Sequence, residues 1–196
     1  MYYEGIEPFL TNLEDKNVGV AGGAVVAMVL SSLNSLIIYI SNLTIGKKKY
    51  ADVEDKVKAI FDEANNLKAK TLQMIDGDKL VLDRILDAYK NRVEDPIQYN
   101  QACKDGVEFC VDVLQTTLQV LELAEKISAC GNRMLSSDFQ ICAHYGLASV
   151  KSAIVNVNIN LTEELGKEYI DEINKKCKEC EKKAEELSKQ IIENSR

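Results

Sequence analysis

The chain has 196 residues, 46% of them hydrophobic and 28% charged, with 10 Gly, 2 Pro and no Trp, a composition that fits one compact domain and disfavours two independent cores. Lys and Arg number 24 against 31 Asp and Glu, a net charge of −7, with a pI near 4.9. That sign argues against a protein whose affinity comes from nucleic-acid phosphates, and against an anionic membrane surface as partner. The opening Met1-Tyr2-Tyr3-Glu4-Gly5-Ile6-Glu7-Pro8 has neither the basic nor the apolar region of a signal peptide, so a cytoplasmic location and free thiols at all six cysteines are expected. His144 is the only histidine and no second close cysteine pair accompanies Cys177 and Cys180, so no metal is expected.

Apolar residues recur every three or four positions almost throughout, which predicts an all-α chain of about six helices, one domain over residues 1–196. Ile6, Phe9, Leu10 and Leu13 form the stripe of a short first helix, which the glycines of residues 17–23 break. The second helix, residues 22–44, is apolar on most of its circumference, as the central element of a bundle would be. Ala24 to Leu43 has the length of a membrane span, but Ser31, Ser32, Asn34, Ser35, Ser41 and Asn42 interrupt it, and it reads as a buried core helix.

The third helix runs over residues 50–92, with Gly77 as a candidate kink between Asp76 and Asp78. Asp95-Pro96 caps and opens the fourth, which stops at Cys130 before Gly131-Asn132. Ser137-Asp138-Phe139-Gln140 fits a capping box for a fifth helix ending at Asn160, and Thr162-Glu163-Glu164 caps the sixth. Cys177 and Cys180 fall on the apolar stripe of that last helix, which makes them core residues rather than a redox or metal pair.

Four polar segments exceed what packing requires. Gly19 to Ala24 is a glycine-rich entry to a helix N-terminus, an anion or carbonyl site unless it is only a tight turn. Ser41-Asn42-Leu43-Thr44-Ile45-Gly46-Lys47-Lys48-Lys49-Tyr50 sets three cations at a helix end, either to attract a carboxylate-bearing ligand or to complement the helix dipole. Asp76-Gly77-Asp78 offers two carboxylates as acid/base groups or as turn residues, and Gly131-Asn132 with Ser136-Ser137-Asp138 offers capping groups and one carboxylate beyond them. Apart from these four, Asn156, Asn158 and Asn160 on an apolar helix call for a polar interface or a ligand pocket.

In this order the segments resemble the formiminotetrahydrofolate cyclodeaminase and methenyltetrahydrofolate cyclohydrolase family, over nearly the whole chain. The anchors are Phe9-Leu10, Gly22-Gly23, residues 42–50, Asp76 with Asp78, Gly131-Asn132, Ser137-Asp138 and Asn156-Val157-Asn158-Ile159-Asn160-Leu161. The resemblance implies an all-helical homodimer that binds a tetrahydrofolate derivative near the subunit interface with no further cofactor. Its reaction is either hydrolysis of 5,10-methenyltetrahydrofolate to 10-formyltetrahydrofolate or ring closure of the formimino derivative with loss of ammonia. The absence of an attached transferase domain favours the cyclohydrolase.

Resemblance and chemistry together nominate Asp138 and Asp78 as catalytic carboxylates. Lys47, Lys48 and Lys49 suit the glutamate tail, Asn42, Asn132 and Ser137 the pterin or the water, and Gly22 and Gly23 the ligand loop. The sequence departs from the family pattern in several places. Val20, Ala21 and Ala24 stand where the family has Pro, Gly and Ser, and Phe139-Gln140 where it has Ala-Gly, bulkier groups near the expected pocket. Asn158 replaces an Arg, and Lys79-Leu80-Val81-Leu82 follow Asp78 in place of Ala-x-Ala-Phe. The alternative reading is a non-catalytic folate-binding or structural homologue with an altered glycine loop.

Overall fold

A computed structural model describes residues 5–196; Met1 to Glu4, the first half of the segment read above for a signal peptide, lie outside it. Among the described residues there are six α-helices and no strands: α1 (Ile6–Glu14), α2 (Gly22–Asn42), α3 (Glu54–Lys90), α4 (Pro96–Cys130), α5 (Ser136–Asn160) and α6 (Lys167–Asn194). The all-α expectation and the helix count both hold. Short 3-10 turns lead into α3, α5 and α6.

The central element is α4, not α2. It packs against α2, α3, α5 and α6, and its Val107, Leu114, Leu121, Leu123 and Ile127 are fully buried. Helix α2 buries one side against α3, α4 and α5 through Ala27, Leu30, Leu33, Ile37 and Ile40. It is long and apolar enough to cross a membrane, yet about half of it is packed inside the bundle. The serines that interrupt it are satisfied locally, since the hydroxyls of Ser31, Ser32, Ser35 and Ser41 each donate to the carbonyl four residues back. Asn34 is fully buried and donates across to the Ala64 carbonyl of α3, 2.8 Å.

The outer side of α2 stays uncovered, and so does the adjoining side of α5. Val25 and Tyr39 on α2, and Ile141, Tyr145, Val155 and Ile159 on α5, are exposed large apolar residues. The two helices run antiparallel: Gly22 and Gly23 share a cleft with Asn156 and Asn160, while Leu43 and Thr44 bond to Asn132, just before α5.

Asp95 caps α4 as expected, accepting from the Gln98 N–H at 2.9 Å with Pro96 in the first turn. Three local expectations differ. Helix α3 runs unbroken through Gly77; a Cβ there would lie 2.7 Å from the Phe109 ring, so this glycine admits α4 rather than kinking α3. The Ser137 capping box does not form, because α5 begins at Ser136 without a side-chain cap and the preceding 3-10 turn is capped by Asn132 instead. Thr162 makes no capping bond either; α6 starts after Gly166, whose φ of 85° is in the left-handed region that favours glycine. Cys177 and Cys180 are buried core residues as predicted, and all six cysteines are free thiols.

Candidate active site

Helix α2 opens at Gly22 with Ala21 as its N-cap and no side-chain cap. Its first-turn N–H groups have no intrahelical carbonyl to bind and carry the positive end of the helix dipole. Helix α3 sets Asp78 against this end, and the carboxylate accepts from the Ala24 N–H. Burial raises the Asp78 carboxyl above the ordinary carboxylate range, with the Ala24 bond opposing that rise more weakly. The approach is close: a Cβ on residue 23 would stand 1.7 Å from Asp78 Oδ1, whereas one on residue 22 would meet nothing within 4 Å.

Helix α5 completes the cleft with Asn156 and Asn160, one turn apart on the same face. Asn160 Nδ2 donates to the Asn156 carbonyl at 3.0 Å and to Cys110 Sγ at 3.5 Å. Burial, and secondarily the charge of Asp78, push the Cys110 thiol up to about 12. It is therefore a neutral wall of the cleft and no nucleophile. The cleft measures about 140 Å³, below the few hundred Å³ of sites that enclose a whole organic cofactor. Larger clefts of about 550 and 430 Å³ lie elsewhere, and none of the candidate residues lines them.

The other candidates gather at the far end of α2. Asn132, 4% exposed, ties this end together: its backbone N–H donates to Thr44 Oγ1 at 3.0 Å and its Nδ2 to the Leu43 carbonyl at 3.2 Å. Its Oδ1 accepts from Tyr50 Oη at 3.3 Å and from the Met134 N–H at 3.1 Å. Tyr50 Oη in turn accepts from the Arg133 N–H at 2.9 Å. So Asn132 holds the segment carrying Lys47, Lys48 and Lys49 against the start of α5, and those bonds occupy its side chain. The three lysines, Asn42 and Ser137 are exposed, and Asp138 is half-buried in the first turn of α5.

The candidates thus form two groups. Gly22, Gly23 and Asp78 meet at the N-terminus of α2; Asn42, Lys47, Lys48, Asn132, Ser137 and Asp138 cluster about its C-terminus. The 21 residues of α2 separate them by about 30 Å within one chain. The departures in sequence have local explanations. Val20 and Ala24 are buried in the core, and Ala24 still supplies the N–H that Asp78 accepts. Phe139 is fully buried and Gln140 is exposed, so the expected crowding by Phe139 goes into the core. Asn158 faces out on the side of α5 away from Asn156 and Asn160.

Asn156 and Asn160 were legible as polar groups needing a pocket, but nothing in their spacing placed them beside Asp78. Cys110 and the Tyr50 hydroxyl carry no local signal, since each is defined by partners 50 and 82 residues away. Among the described residues, no three His, Cys, Asp or Glu side chains gather where a metal ion could be held.

Comparison with known proteins gives this geometry a context. Over 164 residues, 80% of this chain and 79% of the relative, the sequence is 29% identical to a methenyltetrahydrofolate cyclohydrolase of Methylorubrum extorquens. It is 23% identical over 163 residues to the formimidoyltransferase-cyclodeaminase of Rattus norvegicus, of which it spans 30%. The crystal structure of a formiminotetrahydrofolate cyclodeaminase from Thermotoga maritima superposes with a TM-score of 0.89 at 24% identity, over 97% of this chain and 94% of that one, so the fold is shared. The motif resemblance is borne out by a family model that matches residues 5–179, and the chain belongs to the Formiminotransferase-cyclodeaminase family.

Proposed function

We propose that this protein hydrolyses 5,10-methenyltetrahydrofolate to 10-formyltetrahydrofolate, as a homodimer and without a metal or further cofactor. The observation that carries the reading is Asp78, a half-buried carboxylate set against the N-terminus of α2 with a raised pKa and a glycine that leaves it room. A relative 29% identical, matched over 79% of its own length, bears the cyclohydrolase name. The six free thiols suit a reducing, cytoplasmic setting.

The bridging carbon of the substrate is already cationic, so the protein must place a water and move protons. Asp78 takes a proton as the water oxygen bonds to that carbon. It returns one to N5 as the carbon–N5 bond breaks and the hydroxyl proton leaves to form the formyl carbonyl. One proton is released overall. The unused N–H groups of the α2 first turn face the oxygen as it gains negative charge. The amides of Asn156 and Asn160 offer hydrogen bonds to the pterin edge.

The test is the decay of the methenyl chromophore at neutral pH, corrected for spontaneous hydrolysis, with 10-formyltetrahydrofolate followed by chromatography. Acceleration is expected. Ammonia release from the formimino substrate with no effect on the methenyl compound would assign the cyclodeaminase reaction. Folate binding with neither reaction would select the non-catalytic reading. Gly23 supplies a sharper check: Gly23→Ala forces the Asp78 carboxylate away and lowers turnover by about 10²-fold or more, a larger loss than Gly22→Ala gives, since a Cβ at residue 22 meets nothing within 4 Å and leaves Asp78 in place.

A further inference from the structure

We infer that Asn34 is a positioning residue for the reaction: its bond to the Ala64 carbonyl fixes the axial register of α3 on α2, and so holds the Asp78 carboxylate at the N-terminus of α2. The inference rests on the reading of Asp78 as the proton carrier. Asn34 lies near the middle of α2 and is fully buried. Its Nδ2 donates to the Ala64 carbonyl at 2.8 Å, while its Oδ1, equally buried, has no hydrogen-bond partner among the described residues.

A bond of this kind does little to stabilise two packed helices. The Ala64 carbonyl, inside α3, already accepts from the N–H four residues on, and the orphaned Oδ1 costs stability for want of a partner. What the amide supplies is direction. The apolar side chains around it, Ala27, Leu30 and Ile37 on α2 and Val57, Ile60 and Leu67 on α3, are buried, and their burial depends on area removed from water rather than on orientation. A hydrogen bond tolerates far less displacement. Setting the register of neighbouring helices, at a cost in stability, is the best-attested use of a lone buried amide.

Register decides where Asp78 stands. The two helices run antiparallel, with Ala64 against Asn34 and Asp78 against Ala24. A slip of one turn, about 5.4 Å, takes Asp78 out of reach of the Ala24 N–H and of the gap that Gly23 leaves. The carboxylate does not hold itself there: it is half-buried, and its ionised form gains water by leaving the cleft. Among the described residues no cation lines the cleft to offset this. Asn34, ten residues along α2 from Ala24 and about 15 Å from it, opposes that displacement.

Asn34→Leu tests the inference, because leucine keeps the branched shape and removes the donor and the orphaned acceptor together. A Tm at or above the parent's is expected, with kcat for 5,10-methenyltetrahydrofolate lower by about 10-fold or more and KM nearly unchanged. The acid limb of the kcat/KM profile should move toward the ordinary carboxylate range as Asp78 loses its half-buried place. Cys110 is the other titratable group lining the cleft, and its thiol, pushed up to about 12, stays neutral throughout. Asn34→Ala, which adds no bulk, is expected to show the same kinetic split with a lower Tm. Ile37→Val, one turn along on the same face and fully buried, is expected to lower the Tm while kcat and the acid limb stay as in the parent.

The Ala24 amide gives a readout that needs no catalysis. Its proton chemical shift follows the ionisation of the carboxylate it donates to, so it should titrate with Asp78 in the parent and lose that response in Asn34→Leu and Asn34→Ala. A parent inactive on both folate substrates overturns the cyclohydrolase reading and leaves this titration to decide the register. Wild-type kcat and acid limb in both Asn34 variants, a loss of kcat in Ile37→Val as large as theirs, or an Ala24 titration that survives both changes would each overturn the role given to Asn34.

Discussion

Asp78→Asn is expected to lower turnover of 5,10-methenyltetrahydrofolate by about 10²- to 10⁴-fold and at the same time to raise the Tm at neutral pH. The first effect follows from removing the proton carrier while keeping its shape. The second follows from burial, the main cause of the raised Asp78 pKa. A carboxyl whose folded pKa lies above its unfolded value near 3.8 favours the fold only while protonated. That stability is fully present below the unfolded pKa and is lost as the pH rises through the folded pKa. At pH 7 the ionised group is therefore a burden that the neutral amide does not carry, while the amide oxygen still accepts from Ala24. Thermal melts at pH 7 and pH 4 check the sign: the gain from Asp78→Asn should shrink as the pH falls. The acid limb of the wild-type kcat/KM profile should lie above the ordinary carboxylate range, because protonation disables the base. A variant that turns over normally would remove Asp78 from the chemistry, and one that melts lower at pH 7 would contradict the account of a carboxylate raised by partial burial. Opposed changes in activity and stability are what a group strained for function produces.

Helix identity was legible because it depends on local spacing. The stripe that ends in Cys177, Cys180, Ala184 and Ile191 is buried as its period requires, and Asp95 caps α4 as its place before Pro96 requires. What the sequence concealed depends on distant partners. Gly77 looked like a breaker because a glycine in a helix is costly by itself; its reason is the Phe109 ring 32 positions on. Helix α2 looked like a fully buried core helix because its composition is apolar all round, and composition does not tell a face covered by the same chain from one left open. The candidate site divides along the same line. Each motif was recognisable, but their order along the chain says nothing of the helix that holds Gly22 and Asp78 apart from Lys47 and Asp138. Asn132 looked like a ligand group because a buried, capping and ligand-binding Asn are identical in sequence.

Asn132→Ala is expected to cost about 2–4 kcal/mol of stability, a fall in Tm of about 5–15 °C for a chain of this size. The change strips the Leu43 carbonyl, the Met134 N–H and the Tyr50 hydroxyl of a partner at one buried point. Chemical denaturation measures it directly, with an unchanged m-value showing that the loss lies in the folded state. A ligand role for Asn132 alone predicts a raised KM with an unaltered Tm, so the Tm separates the two accounts. Tyr50→Phe separates the two further, since the Tyr50 hydroxyl bonds both Asn132 Oδ1 and the Arg133 N–H. The double variant should lose less than the sum of the single losses, because each change breaks the bond the other needs. Additive losses would mean that the two side chains act separately. Kinetics on the single variants then report what the clamp does for function. It fixes the segment bearing Lys47, Lys48 and Lys49 against α5, so loosening it should raise KM for a substrate with a glutamate tail and leave kcat for bound substrate nearly unchanged. The stability of this junction and the reach of its cations are set by the same four hydrogen-bonded groups, which makes Asn132 a positioning residue rather than a contact to the pterin.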